Sequence, residues 1–236
     1  MENAKNQKSE IKAAFLAAFP DTIPILTGFL GLGMAFGILM QTKGYGPIWS
    51  VLMSAIAFCG SMQFVAITLL TTTFNPIQAF LLSLMVNARH LFYGISMLNK
   101  YKGIGKMRFF LIFTLCDETF SLVSSLEPPK QVNRKYYYFA ISFLDYLYWI
   151  IGSLLGGIFG GLISFNTDGL DFILTALFVV LFLEQWKTRN NRIPAIIGLM
   201  ATIISRLIFG ASNLVIPAMI IIILALIGGR KRHVLN

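Results

Sequence analysis

Asn87, Arg89 and His90 lie close together in the stretch SLMVNARHLFYG, residues 83–94, among Leu, Met, Val and Phe. On a helix, this spacing puts Asn87, His90 and Gly94 on one face and Arg89 and Tyr93 on the neighbouring one. Hydrocarbon solvates neither face. An Arg at the centre of a bilayer costs at least about 2.5–3.5 kcal/mol on insertion scales, so its guanidinium must meet protein or trapped water, or reach back to an interface. The chemistry on offer is recognition of an anionic group by Arg89, hydrogen bonding by Asn87 and proton exchange at His90.

Asp117 and Glu118, in LIFTLCDETFSLV, provide the opposite charge and are natural partners for Arg89 or His90. Two readings stand side by side: a permanent ion pair that fixes helix packing, and a carboxylate that takes up and releases protons as a cycle exposes it to alternate sides. A further candidate is FCGSMQF, residues 58–64. Gly60 and Ser61 loosen a helix in mid-span, and Gln63 adds a side-chain amide. Unwinding there frees backbone N–H and C=O groups for the carboxylate and ammonium of a zwitterionic ligand. Glu184 and Gln185 in FLEQW fit an ordinary interfacial position beside Lys187, while Asp21, Asp145, Pro20 and Pro24 are open to purely structural readings.

The elements that must position these groups are membrane helices. The 236 residues are 56% hydrophobic and 14% aromatic with 12% charged, and the mean hydropathy is +0.74. A soluble globule could not bury that much apolar surface, whereas a bilayer core of about 30 Å takes roughly 20 apolar helical residues per crossing. Candidate spans fall at 14–40, 48–72, 76–98, 109–126, 137–164, 171–186, 193–209 and 213–228. The fold expected is all-α and polytopic, one transmembrane domain over residues 1–236, with seven or eight crossings. The count turns on 109–126, whose two acids sit mid-span between basic loops. If that segment crosses fully, the bases of 99–108 face outward; if it does not, the count is seven with the N-terminus outside.

An internal repeat favours seven. FPDTIPILTGFLGLGMAFG (19–37) aligns without gaps to FLDYLYWIIGSLLGGIFGG (143–161), pairing Asp21 with Asp145, Gly28 with Gly152, Gly33 with Gly157 and Gly37 with Gly161. With small gaps, Gln63 then meets Gln185, Arg89 meets Arg206 and Phe92 meets Phe209. The repeat halves span approximately 14–98 and 137–209, and inverted halves around a midplane site are a common build for secondary transporters. The spacing of Gly33 and Gly37, and of Gly152, Gly156 and Gly160, suits close helix packing.

Several functions are disfavoured. The net charge of +9 comes from short basic clusters such as Lys100, Lys102, Lys106 and Arg108, the pattern of positive-inside loops in a plasma membrane, with no nucleic-acid motif. Cys59 and Cys116 lie in apolar runs and imply no disulfide framework. No Walker loop, HExxH, GxSxG or dinucleotide fingerprint occurs, and His90 and His233 are too few for a histidine-rich metal site. No cofactor, resident metal or enzymatic activity is expected. The rival readings are a channel lined by the same polar groups, and an intramembrane enzyme using His90 with Asp117 or Glu118 as an acid–base pair.

Three segments in this order and spacing, FCGSMQFVAITLL (58–70), LMVNARHLFYG (84–94) and TLCDETFSL (114–122), resemble the AzlC family, the large subunit of two-component branched-chain amino-acid exporters. The resemblance extends over nearly the whole chain, with Cys59 and Met62 standing where small residues are expected. It implies a multi-pass protein of a prokaryotic plasma membrane that exports leucine, isoleucine, valine and related apolar amino acids such as methionine, together with a small hydrophobic AzlD-like subunit and surrounded by membrane lipid. Within that frame, Gly60, Ser61, Gln63, Asn87 and Arg89 are the expected substrate-binding residues, and His90, Asp117 and Glu118 the expected proton-coupling ones.

Overall fold

The computed structural model describes residues 2–73, 75–162, 172, 176, 179, 182–183, 186–187, 192–210 and 215–231. Every regular element among them is helical. They divide into two compact units, Met1–Asp171 and Phe172–Asn236.

The first unit contains α1 (Glu2–Thr42), α2 (Pro47–Ile56), α3 (Gly60–Thr71), α4 (Pro76–Met97), α5 (Met107–Phe113), α6 (Asp117–Ser125) and α7 (Arg134–Leu162). The second contains α8 (Arg192–Phe209) and α9 (Val215–Lys231), which pack on each other. Gly210 closes α8 at φ 75°, a left-handed conformation that glycine adopts without strain, and its N–H bonds the Arg206 carbonyl. Among the described residues, Asn6–Thr42, Arg134–Leu162 and Arg192–Phe209 are long and apolar enough to cross a membrane. The expected span at 171–186 and the turn after Gly210 lie largely outside the described residues.

The spine of the first unit is α1 against α7. α1 continues through Pro20 and Pro24 for 41 residues, about 60 Å at 1.5 Å per residue and twice a bilayer core. The glycines make this pairing possible. A methyl carbon at Gly152 would sit 2.8 Å from the Phe29 carbonyl oxygen, one at Gly33 would sit 3.1 Å from the Gly152 backbone, and one at Gly37 or Gly156 would overlap the opposing backbone. Gly157 plays the same part toward α2, where a side-chain carbon would meet Pro47 Cα at 2.8 Å. These stripes therefore pack helices, and their backbones touch because no side chain intervenes.

Two of the expected continuous spans are each a pair of short helices. Residues 48–72 form α2 and α3 with a break at Ala57–Cys59, and 109–126 form α5 and α6 with a break at Thr114–Cys116. Both breaks are pinned by side chains. Phe58 packs edge-on to Tyr146, with ring centroids 5.3 Å apart, and Gly60 faces the Trp149 indole so closely that a side chain there would press on it. At the second break, the wholly buried Thr114 hydroxyl returns to the Phe110 carbonyl at 2.8 Å. Hydropathy averaged along the chain cannot register either interruption.

At its far end, α6 is tied down by Lys100, just beyond α4. The Lys100 ammonium donates to the carbonyls of Val123, Ser124 and Leu126 at 2.7, 2.9 and 3.1 Å and pairs with Glu127 at 3.0 Å. A cation at a helix C-terminus is favourable because the last carbonyls carry partial negative charge. The hydrogen bond from Lys100 holds the exposed Glu127 carboxyl below its ordinary range. That pair is therefore present above the ordinary carboxylate value and is lost as pH falls through the lowered one. Replacing Lys100 by Met leaves three carbonyls without their donor and is expected to cost about 1–2 kcal/mol, seen as a lower Tm in detergent and faster amide exchange in α6.

Candidate functional site

The two helix breaks and the polar stretch of α4 converge. The α2–α3 break brings Phe58 and Cys59, the α5–α6 break brings Phe113 and Leu115, and α4 brings Asn87, His90, Leu91 and Gly94, all lining one cavity of about 310 Å³. An adjoining cavity of about 480 Å³ shares Phe58, Cys59, Asn87 and Phe113 with it and extends along Met53, Met62, Ala66 and Ser83. Mostly apolar walls with a few directed polar groups are what small-molecule sites offer. The helical face read from sequence, Asn87 with His90 and Gly94, is the face that lines the first cavity.

Arg89 ties the two breaks together. One guanidinium nitrogen donates to Ser61 Oγ at 2.7 Å, in the first turn of α3, and another pairs with Asp117 Oδ2 at 2.8 Å, in the first turn of α6. The fork geometry of Arg lets one side chain hold both. The pair is not saturated. Arg89 Nε and Asp117 Oδ1 are both buried with no partner among the described residues, leaving one donor and one acceptor unused. The two helix starts differ in charge as well. The first turn of α6 carries Asp117 and Glu118 on its partly positive end, whereas the first turn of α3, Gly60–Ser61–Met62, has no acid, and its N-cap Cys59 makes no side-chain capping bond.

The remaining predicted residues fall around this core. Asn87 Oδ1 accepts from the Cys59 thiol at 2.8 Å, bridging α4 to the first break. His90 turns Nδ1 toward the Asn87 carbonyl at 3.3 Å and meets Tyr93 edge-on, while Tyr93 stacks on Phe120 of α6 at 4.4 Å. Glu118 is half-buried beside Asp117. Gln63 is the exception in direction. Its Oε1 accepts from the Trp149 indole N–H at 2.7 Å and its Nε2 donates to Ser54 at 3.0 Å, and Ser54 in turn donates to Ser153 at 2.7 Å. That buried network fastens the start of α3 to α7, so Gln63 braces the break from behind while flanking the second cavity.

Sequence reasoning passed over Trp149, Thr119 and the full burial of Asp145. Thr119 in α6 donates to Asp145 Oδ2 at 2.8 Å. The signal for the second break was the Cys-Asp-Glu-Thr order itself, since acids cluster in the first turn of a helix.

A family model described as AzlC protein matches residues 24–163, a stretch that holds both breaks and every residue of the cluster. The chain belongs to the AzlC family. It is 49% identical over 218 residues, 92% of its own length and 86% of the relative's, to the branched-chain amino acid transport protein AzlC of Bacillus subtilis (strain 168). It is also 40% identical, over 92% of its length and 89% of the relative's, to an uncharacterized membrane protein of Haemophilus influenzae. The inner membrane protein YgaZ of Escherichia coli (strain K12) is 27% identical over 85% of this chain and 86% of its own. No solved structure matches. This AzlC-family chain therefore sets the Arg89–Asp117 pair between two helix breaks, inside the segment that the family model matches.

Proposed function

We propose that this protein is a secondary transporter that exports leucine, isoleucine and valine, and methionine with them, from a prokaryotic cell in exchange for protons, working with a small hydrophobic AzlD-like subunit in the plasma membrane. The observation that carries the reading is the unsaturated Arg89–Asp117 pair. The free Nε donor suits the carboxylate of an amino acid and the free Oδ1 acceptor suits its ammonium, so one zwitterion uses both. The acid-free start of α3, with Gly60 and Ser61, adds backbone N–H donors on the carboxylate side, and Asn87 offers its amide at the cavity wall. Gln63 keeps that helix start in place. The walls of Phe58, Met53, Met62, Leu91 and Phe113 accept a branched aliphatic side chain at about 0.8 kcal/mol per buried CH₂.

Coupling falls to His90, Asp117 and Glu118. When the amino acid engages Asp117, the Arg89 contact weakens and the charge balance among these three groups changes, so protons are taken up or released there. The aligned sequence halves support seven crossings arranged as inverted repeats.

The test is counterflow of labelled leucine, isoleucine, valine, methionine, lysine and glutamate in proteoliposomes holding this chain and its small subunit. Saturable exchange confined to the apolar amino acids is the expected result, together with accumulation that follows an imposed pH gradient. Conductance without saturable counterflow would replace the transporter with a channel, and transport indifferent to the pH gradient would remove the coupling.

A further inference from the structure

Asp145 sits in α7 with its side chain wholly out of solvent. Thr119 donates to Oδ2, and Oδ1 has no partner among the described residues. Among the described residues, no cation pairs with the carboxylate. Of the helices packed on α7, α2 has no ionisable side chain and α5 only Arg108, which makes no ion pair among the described residues. α1 brings Asp21, bound to the Tyr137 hydroxyl two turns away along α7, and the neutral Thr22, bound to Tyr148. α6 brings Glu118 in its first turn, and the break before it brings the Cys116 thiol, which bonds Thr119. The groups facing Asp145 are thus hydroxyls, a thiol and another acid.

An ionised carboxylate without water or counter-charge is among the most expensive groups to bury, and it takes up a proton instead. The proton turns the unpartnered Oδ1 into a donor. Ser142, one turn earlier on α7, is also wholly buried, and its hydroxyl has no partner, Asp145 included, among the described residues. On the other side, with its proton given to Asp145, the Thr119 hydroxyl accepts from the Cys116 thiol at 3.3 Å, and it follows Glu118 in the first turn of α6. The Thr119 hydroxyl, bonded to the inner acid and carried by the same first turn of α6 as the outer one, is the group placed to relay a proton between them.

We propose that Asp145 is the buried proton carrier of the transport cycle, exchanging its proton with Glu118 across the Thr119 hydroxyl. The inference rests on the transporter reading and names the inner station of its proton path. Only a proton moves: Asp145 gives it up as Glu118 gains it, or the reverse, and no bond between heavy atoms forms or breaks.

Three measurements on the full chain with its small subunit decide it. Asp145→Asn preserves shape and still accepts from Thr119 but cannot titrate, so counterflow at equal pH is retained while accumulation driven by a pH gradient is lost. Asp145→Glu restores that accumulation. Infrared difference spectra of the purified wild type against Asp145→Asn show the C=O stretch of a protonated carboxylic acid at neutral pH, and Thr119→Val shifts its frequency by removing the hydrogen bond. Gradient-driven accumulation surviving in Asp145→Asn, wild-type transport driven by sodium alone, or absence of the infrared band each overturns the proposal. A wild type without counterflow would instead remove the transporter reading, and the infrared band would still report whether Asp145 holds a proton.

Discussion

Arg89→Lys weakens binding of a branched-chain amino acid by about ten- to a hundredfold, the range set by one lost charge-assisted hydrogen bond of about 1.5–3 kcal/mol. The charge is kept, so long-range attraction for the carboxylate changes little. What disappears is the fork. Arg89 reaches Ser61 and Asp117 with two nitrogens and keeps Nε free, whereas an ammonium that serves Ser61 and Asp117 cannot also present a planar third donor to the substrate. Asp117→Asn is expected to weaken binding to a similar degree, since the remaining amide cannot offer the ammonium a charged acceptor. The double variant should lose less than the sum of the two, because each single change already disables a shared site. Half-saturation in counterflow measures all three, and an unchanged half-saturation for Arg89→Lys would take the substrate away from this pair. Folding is a minor complication: the side chains of Arg89 and Asp117 are 32% and 23% exposed, so the cost of breaking the pair is well below that of a fully buried one.

The meeting of Arg89 with Asp117 was legible from sequence because lone charges in an apolar run have few ways to be solvated, and opposite charges find each other. The break beside Gly60 and Ser61 was legible for a similar reason, since small residues and an amide in mid-span weaken a helix locally. The break at Thr114–Cys116 was hidden by the apolar residues on both sides of it, which read as one continuous span. Gln63 illustrates a different limit. Its type announced a need for hydrogen bonds, but whether the cavity or Trp149 met that need depends on α7, more than 80 residues further along the chain. Asp145 was visible as an acid in a span, yet its burial without a cation is a property of what packs around it, which no spacing along α7 reveals. Helical periodicity assigns a residue to a face; the neighbour on that face comes from topology.

The same distinction separates glycines that look alike in sequence. Gly156→Ala should destabilise the protein by about 3 kcal/mol, the upper end of the usual cost of overpacking, and Gly28→Ala should be neutral or stabilise by up to about 1 kcal/mol through helix propensity. At Gly156 the added carbon would lie 2.6 Å from Met34 Cα and 2.7 Å from its carbonyl carbon, backbone atoms that move only if α1 moves. At Gly28 nothing lies within 4 Å. Both substitutions add the same methyl group to the interior of a long helix, so the difference between them isolates the α1–α7 contact. Thermal unfolding in detergent reads the two values, and equal stability of the two variants would mean that the helices do not pair through this stripe. The consequence reaches the transport site, because Trp149 and Ser153, which hold Gln63 and Ser54 at the first break, lie on α7 beside Gly152 and Gly156. A shift of α1 against α7 at Gly156 is therefore expected to loosen the start of α3 as well, and Gly156→Ala that still folds should bind substrate less tightly than Gly28→Ala.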